Sequence, residues 1–276
     1  MRYFVYDVFT DTPFGGNQLA IVPDAGDLSE AQMKAIAREF NFSETSFILP
    51  PEDPAHTARV RYFTPARELP FAGHPTIGTA IMLAQQHGHE DMVLELGVGP
   101  LTCRATGNSA SFFTEHPLEI KAHPAADLVA RALGCDILNL RSIPVLASLG
   151  GDFVFVQLDS RETLSKLCPN TDAMREGAAL YPGNHDFAVY PYVMDGSIVH
   201  TRMFAPLDGI PEDPATGSAA APLAALLSET LDRRVEITVH QGDDMGRPSR
   251  IALTAENGRV TVAGQAVKVM EGQLFV

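Results

Sequence analysis

The sequence predicts an α+β protein built from two copies of one strand-rich domain, each a curved, mostly antiparallel sheet wrapped around a central helix. The first observation is a motif that occurs twice in the same order. Arg61-Tyr62-Phe63-Thr64-Pro65 followed by Gly73-His74-Pro75-Thr76-Ile77-Gly78-Thr79-Ala80 recurs as Arg202-Met203-Phe204-Ala205-Pro206 followed by Glu212-Asp213-Pro214-Ala215-Thr216-Gly217-Ser218-Ala219. About half a chain length separates the copies, the spacing that duplication of a whole domain leaves behind. Second, Phe14-Gly15-Gly16-Asn17 before the apolar Leu19 to Val22 is echoed by Leu149-Gly150-Gly151-Asp152 before Phe153 to Val156. A looser third echo pairs Glu95-Leu96-Gly97-Val98-Gly99-Pro100 with Gln241-Gly242 and Gly246-Arg247-Pro248. Third, β-rich stretches recur at short spacing while helical signals are few.

The strand signals in order include Tyr3 to Phe9, Leu19 to Val22, Ser46 to Leu49, Val60 to Phe63, Val93 to Leu96 and Phe153 to Leu158. Ser29-x-x-Gln32 reads as a capping box opening a surface helix that carries Met33, Ile36 and Phe40 on one face. Asp127 to Leu133 reads as a second surface helix, stopped by Gly134. Pro75 to Leu83 and Pro214 to Leu227 differ, because each begins with proline at the first helical position and is apolar nearly all round. Such helices belong inside a fold. Pro117 and Pro124 interrupt a polar stretch and place the connection near Glu115 to Asp127. The expected domains are therefore 1–118 and 119–276, with the last strand free to pair back with the first domain.

At 276 residues each half is long enough for its own core. Acidic residues outnumber basic ones 34 to 20, and the resulting field repels phosphate backbones and anionic lipid, so neither nucleic acid nor a membrane is expected as a partner. Cys103, Cys135 and Cys168 are odd in number and far apart, which suggests free thiols in a reducing cytoplasm rather than disulfides or a zinc knuckle. The opening residues do not make a signal peptide, and no apolar run reaches membrane-spanning length.

His74 and Asp213 hold the same slot in the two repeated turns, just before a helix-opening proline. Helix N-termini present unpaired N–H groups and the positive end of the dipole, so two such corners suit a carboxylate. Asp213 is equally well read as an N-cap, whereas His74 is a poor cap and its slot favours a functional role. Thr76, Thr79, Thr216 and Ser218 fall in the first turns, where hydroxyls bind ligand or bond back to the chain. A nucleophilic Ser218 is disfavoured by the missing Gly-x-Ser-x-Gly elbow. Glu44, in Asn41-Phe42-Ser43-Glu44-Thr45-Ser46, enters a strand beside bulky apolar residues, a setting expected to raise its proton affinity and to suit proton transfer near neutral pH, although from these residues alone a solvated loop glutamate is the commoner outcome. The run His87, His89, Glu90, Asp91 reads as a solvated turn, the other histidines lack ligand spacing, and no metal is expected. No glycine-rich stretch fits a nucleotide fingerprint.

Asn41 to Thr45, Phe71-Ala72-Gly73-His74-Pro75 and Glu212 to Ala219, taken together with Asp7-Val8-Phe9, Gly16-Asn17 and Gln241-Gly242, make a chain that resembles the phenazine-biosynthesis isomerase (PhzF-like) family along essentially its whole length. Gln18 stands where members often have proline. The resemblance implies the diaminopimelate-epimerase-like fold, two pseudo-symmetric halves with the active site in the cleft, a homodimer, and no metal or organic cofactor. In the family's best-known member the matching glutamate moves a proton between ring carbons of trans-2,3-dihydro-3-hydroxyanthranilate. Carried over by position, Glu44 becomes the proton shuttle, and His74, Asp213 and Ser218 position substrate and assist protonation. Ser43, Gly73, Thr76, Thr216 and Gly217 contribute to substrate binding. The expected function is cofactor-independent proton transfer on a small carboxylate-bearing substrate. The alternatives are a non-catalytic small-anion binding protein and an amino-acid racemase. Racemases of this fold use paired cysteines in the glycine-rich turns, where this chain has His74 and Asp213.

Overall fold

In the computed structural model, residues 1–88 and 90–276 are described; His89 lies outside them. The chain divides into two compact units, one comprising residues 1–113 with 262–276 and the other residues 114–261.

The first unit contains β1 (Arg2–Val8), β2 (Asn17–Val22), α1 (Glu30–Phe40), β3 (Glu44–Leu49), β4 (Ala58–Phe63), β5 (Glu68–Leu69), α2 (Gly73–His87), β6 (Asp91–Leu96), β7 (Gly99–Thr106) and β8 (Ser109–Thr114). Its sheet is mixed. Antiparallel β1–β2 is followed by parallel β2–β3, antiparallel β3–β4, parallel β4–β6 and antiparallel β6–β7 and β7–β8. The chain's final strand, which begins at Arg259, pairs with both β8 and β1 and joins the two ends of this order into a ring.

The remaining elements are β9 (Glu119–Ala122), α3 (Ala126–Leu133), β10 (Val145–Ser148), β11 (Asp152–Gln157), α4 (Arg161–Lys166), α5 (Thr171–Leu180), β12 (Val189–Asp195), β13 (Ile198–Thr201), β14 (Met203–Ala205), β15 (Ile210–Asp213), α6 (Gly217–Leu231), β16 (Val235–Gln241), β17 (Ser249–Glu256) and β18 (Arg259–Gln273). Within the second unit the senses run in the same order as in the first: antiparallel β10–β11, parallel β11–β12, antiparallel β12–β13, parallel β13–β16, antiparallel β16–β17.

Each unit is organised around the apolar helix that follows the repeated motif. α2 packs on β1, β2, β3 and β7, and every residue from Gly73 to Leu83 is buried. Gly78 lets it approach the sheet, since a Cβ there would stand 2.6 Å from Leu19 Cδ2 and 2.8 Å from Val8 Cγ2. α6 packs on β16, β17, β10 and β11 and buries Ala219 to Ala225. Its interior Pro222 lacks the N–H that would bond the Ser218 carbonyl.

Both apolar helices start elsewhere than the prolines suggest. α2 begins at Gly73, so Pro75 is its third residue and His74 is already helical. The substitution of proline is harmless there, because the first helical N–H groups have no intrahelical acceptor. α6 begins only at Gly217 after Thr216, leaving Pro214 in the preceding loop and Asp213 at the end of β15. Asp213 is therefore not the N-cap of α6.

The surface helices follow their local signals. Ser29 and Gln32 form the reciprocal capping box of α1, which buries Met33 and Ile36, and Gly134 ends α3 in the left-handed region at φ 69°. α4 buries Leu164 and α5 buries Ala173, Met174 and Gly177, too few large apolar positions to make a periodic signal in the sequence. Ser160 and Asn170, which cap them through their side chains, are the sequence signals that mark them.

The arginine of each repeat has a shared structural purpose. Arg61 makes two bonds to Glu68, 2.6 and 2.5 Å, and its guanidinium carbon lies 5.0 Å from the Phe63 ring centre. Arg202 makes two 2.7 Å bonds to Glu212 and lies 4.7 Å from the Phe204 ring centre. The planar fork suits both tasks at once.

Candidate active site

The first unit brings Glu44 and His74 together. Parallel pairing of β2 with β3 sets Glu44 opposite Leu19 at the start of β3, and the second residue of α2 carries His74 to it. His74 Nδ1 lies 3.4 Å from Glu44 Oε2, with side-chain exposures of 5% and 15%. Burial drives the imidazole pKa down to about 3, against the opposing pull of a backbone hydrogen bond with Gln18. The ring is neutral at ordinary pH, so this contact is not a salt bridge.

Polar side chains hold the turn from behind. Thr76 Oγ1 donates to the Ala72 carbonyl at 2.7 Å and lies 3.0 Å from the Tyr62 hydroxyl, while Thr79 donates to Ser46 Oγ at 3.0 Å. Thr76 is wholly buried, and its hydroxyl is committed to the chain. Ser43 donates to Asn17 Oδ1 at 3.1 Å, linking the residue before Glu44 to the start of β2. Gly73 is the first residue of α2 and is buried.

In the second unit Asp213 is buried, and its Oδ2 accepts from Thr216 Oγ1 at 2.5 Å. Gly217 and Ser218 open α6, with Gly217 buried and Ser218 half-buried. Gln241, at the end of β16, ties the loop down with four bonds. Its Nε2 donates to the Asp213 carbonyl at 2.7 Å and to Thr216 Oγ1 at 2.8 Å. Its Oε1 accepts from the Thr216 N–H and the Tyr190 hydroxyl, both at 3.1 Å. Ser249 Oγ adds a 2.7 Å bond to the Pro214 carbonyl. The sequence marked Gln241-Gly242 as an echo but gave Gln241 no task; its recurrence beside a glycine turn was the available signal.

Of the run His87, His89, Glu90, Asp91, His89 lies outside the described residues; His87 ends α2 and Asp91 begins β6, both exposed. A cavity of about 380 Å³ elsewhere in the first unit is lined by Glu52, His56, Arg59, Arg61, Glu68 and Glu95 among others, whose side chains already pair as Glu52 with Arg59, His56 with Glu95 and Arg61 with Glu68. No described helix is long and apolar enough to cross a membrane.

Comparison with known proteins fixes the fold first. The chain shares the fold of a hydroxyproline epimerase from Agrobacterium vitis, at a TM-score of 0.66 and 15% identity over 99% of this chain and 90% of that one. Much nearer is a Bacillus anthracis phenazine biosynthesis protein of the PhzF family, with a TM-score of 0.88 and 26% identity over 100% of this chain and 99% of the other. In sequence the chain is 36% identical, over 100% of its own length and 99% of the relative's, to trans-2,3-dihydro-3-hydroxyanthranilate isomerase of Pseudomonas aeruginosa. It is 38% identical, with the same coverage, to an uncharacterised isomerase of Mesorhizobium japonicum. The model of the phenazine biosynthesis-like protein family matches residues 6–272. The chain belongs to that family and is an isomerase.

Proposed function

We propose that the chain catalyses a cofactor-independent proton shift on a small cyclic carboxylate, with trans-2,3-dihydro-3-hydroxyanthranilate as the substrate. The observation that carries this reading is the half-buried Glu44 carboxylate facing a neutral imidazole. A carboxylate locked to a cation is a poor base; one beside a neutral ring keeps its capacity to accept a proton from carbon. Glu44 takes the proton from one ring carbon and returns it to another, and no net charge or redox change accompanies the shift. His74 orients the substrate and the carboxylate together. Asp213 and Ser218 position the substrate and assist protonation, with Ser43, Gly73 and Gly217 against the ligand and Thr76 and Thr216 holding the turns.

The repeated motifs and the common order of strand pairing support an origin by duplication, with two pseudo-symmetric halves. We place the enzyme in the cytoplasm as a homodimer; its three cysteines are free thiols, which suits a reducing compartment.

The test is proton NMR in deuterated water with trans-2,3-dihydro-3-hydroxyanthranilate, comparing the wild type with Glu44→Gln. Conversion with deuterium uptake at the ring by the wild type alone is the expected result. Equal conversion by the variant removes Glu44 from the shuttle role. Failure of both proteins to convert the compound rejects it as the substrate.

A further inference from the structure

The outer face of the second unit's sheet carries a cluster of ligating side chains that the proposed reaction does not use. β13 and β16 run parallel with His200 opposite His240, one step beyond the wholly buried pair Val199 and Val239. Strand alternation therefore puts both imidazoles side by side on the face turned from the core. Their ring centres are 5.3 Å apart, at 82°. Asp243 comes two residues after the end of β16, in a short turn made possible by Gly242 at φ 77°, where a Cβ would meet the Arg247 carbonyl oxygen at 2.3 Å. One ligand atom from each of His200, His240 and Asp243 lies within 4.8 Å of the others.

We propose that His200, His240 and Asp243 bind a divalent transition-metal ion of the zinc type. Two imidazoles and one carboxylate are a donor set that zinc accepts, with water completing the coordination. His200 Nδ1 is buried and has no hydrogen-bond partner among the described residues, which leaves a costly acceptor or donor that a metal would satisfy. The guanidiniums of Arg161 and Arg250 flank the Asp243 carboxylate.

The same two arginines limit the affinity. Arg250 Nη1 donates to Asp243 Oδ1 at 3.2 Å, and Arg161 Nη2 stands 3.6 Å from Asp243 Oδ2, so the metal must take this carboxylate from them. Both guanidiniums keep a second partner when it does. Arg161 Nη1 retains Asp244 at 3.0 Å, and Arg250 Nη1 retains the Ser249 carbonyl at 2.8 Å. Asp244 and Asp195 supply further negative charge around the cluster.

Sequence spacing hides this site, because the two histidines are far apart in the chain and only parallel strand pairing brings them into register. The test is equilibrium dialysis of the chelator-treated full chain against Zn²⁺, with His200→Gln and His240→Gln in parallel. One bound equivalent, weakened by at least roughly tenfold in each variant, is expected. Circular dichroism of the metal-free variants confirms that they fold. Independently of any variant, Co²⁺ added to the wild type should broaden the ring proton signals of two histidines together. Substoichiometric binding by the wild type, binding within about twofold of wild type in both variants, or broadening confined to other histidines overturns the proposal.

Discussion

His74 Nδ1 lies 3.4 Å from Glu44 Oε2, and burial keeps the imidazole neutral, with its pKa down at about 3. The histidine thus faces the carboxylate without neutralising it.

This gives a pH signature with a fixed sign. An unfolded histidine titrates near ~6.5, so between that value and the folded pKa the unfolded chain binds the extra proton. The stability contributed by a neutral His74 is fully present above the unfolded pKa and is lost as pH falls through the window down to about 3. His74→Asn should flatten the loss of stability on acidification by on the order of a few kcal/mol. Urea melts across that pH range measure it; parallel wild-type and variant curves would refute the burial effect.

Gln241 holds the Asp213 loop through four buried bonds. Gln241→Leu leaves several polar groups unmatched and should cost ~2–4 kcal/mol in a denaturant melt, at ~1–3 kcal/mol for each buried orphan with partial relaxation. It should also lower kcat, by displacing Asp213 and Thr216. Unchanged stability would mean that water replaces the amide without loss.

Gly78→Ala tests the contact of α2 with its sheet. Alanine favours a helix over glycine by ~0.8–1 kcal/mol, whereas overpacking a core costs ~1–3 kcal/mol. The new Cβ would stand 2.6 Å from Leu19 Cδ2 and 2.8 Å from Val8 Cγ2, and both residues are wholly buried. The steric cost should win, lowering the melting temperature; a rise would show that the sheet yields easily.

Arg202→Lys should be more harmful than its conservative appearance suggests. Arg202 pairs twice with Glu212, covers Phe204 and donates to the carbonyls of Leu164, Ser165 and Leu167. Lysine cannot meet these directions together, and a loss of ~2–3 kcal/mol is expected. Lys34→Ala, which removes an exposed helix pair with Glu30, should leave the melt indistinguishable from wild type. Thermal or urea denaturation of the two variants compares them directly.

Much of the fold was legible because its signals are local. The capping box at Ser29 and Gln32, the glycine stop at Gly134 and the apolar strands all lie within a few residues of the structure they create. The starts of α2 and α6 were not legible from proline alone, since proline fits any of the first helical positions and the loop after β15 equally well. At the candidate site, the sequence could bring Glu44 and His74 to notice by residue type and repetition. Their separation and the neutral state of His74 depend on strand register and burial, and so does the fit of Gln241 beneath Asp213.

Residues 262–276 belong to the first unit, where β18 runs against β1 from Val8↔Ala266 to Arg2↔Gln273. During synthesis, this sets an order opposite to that of the genetic message. The unit encoded first cannot complete its hydrogen-bonded ring until β18 has emerged from the ribosome, whereas the unit encoded second has all its strands earlier. Until then the nascent β1 presents an open edge to neighbouring chains, an interval in which a chaperone would be of most use.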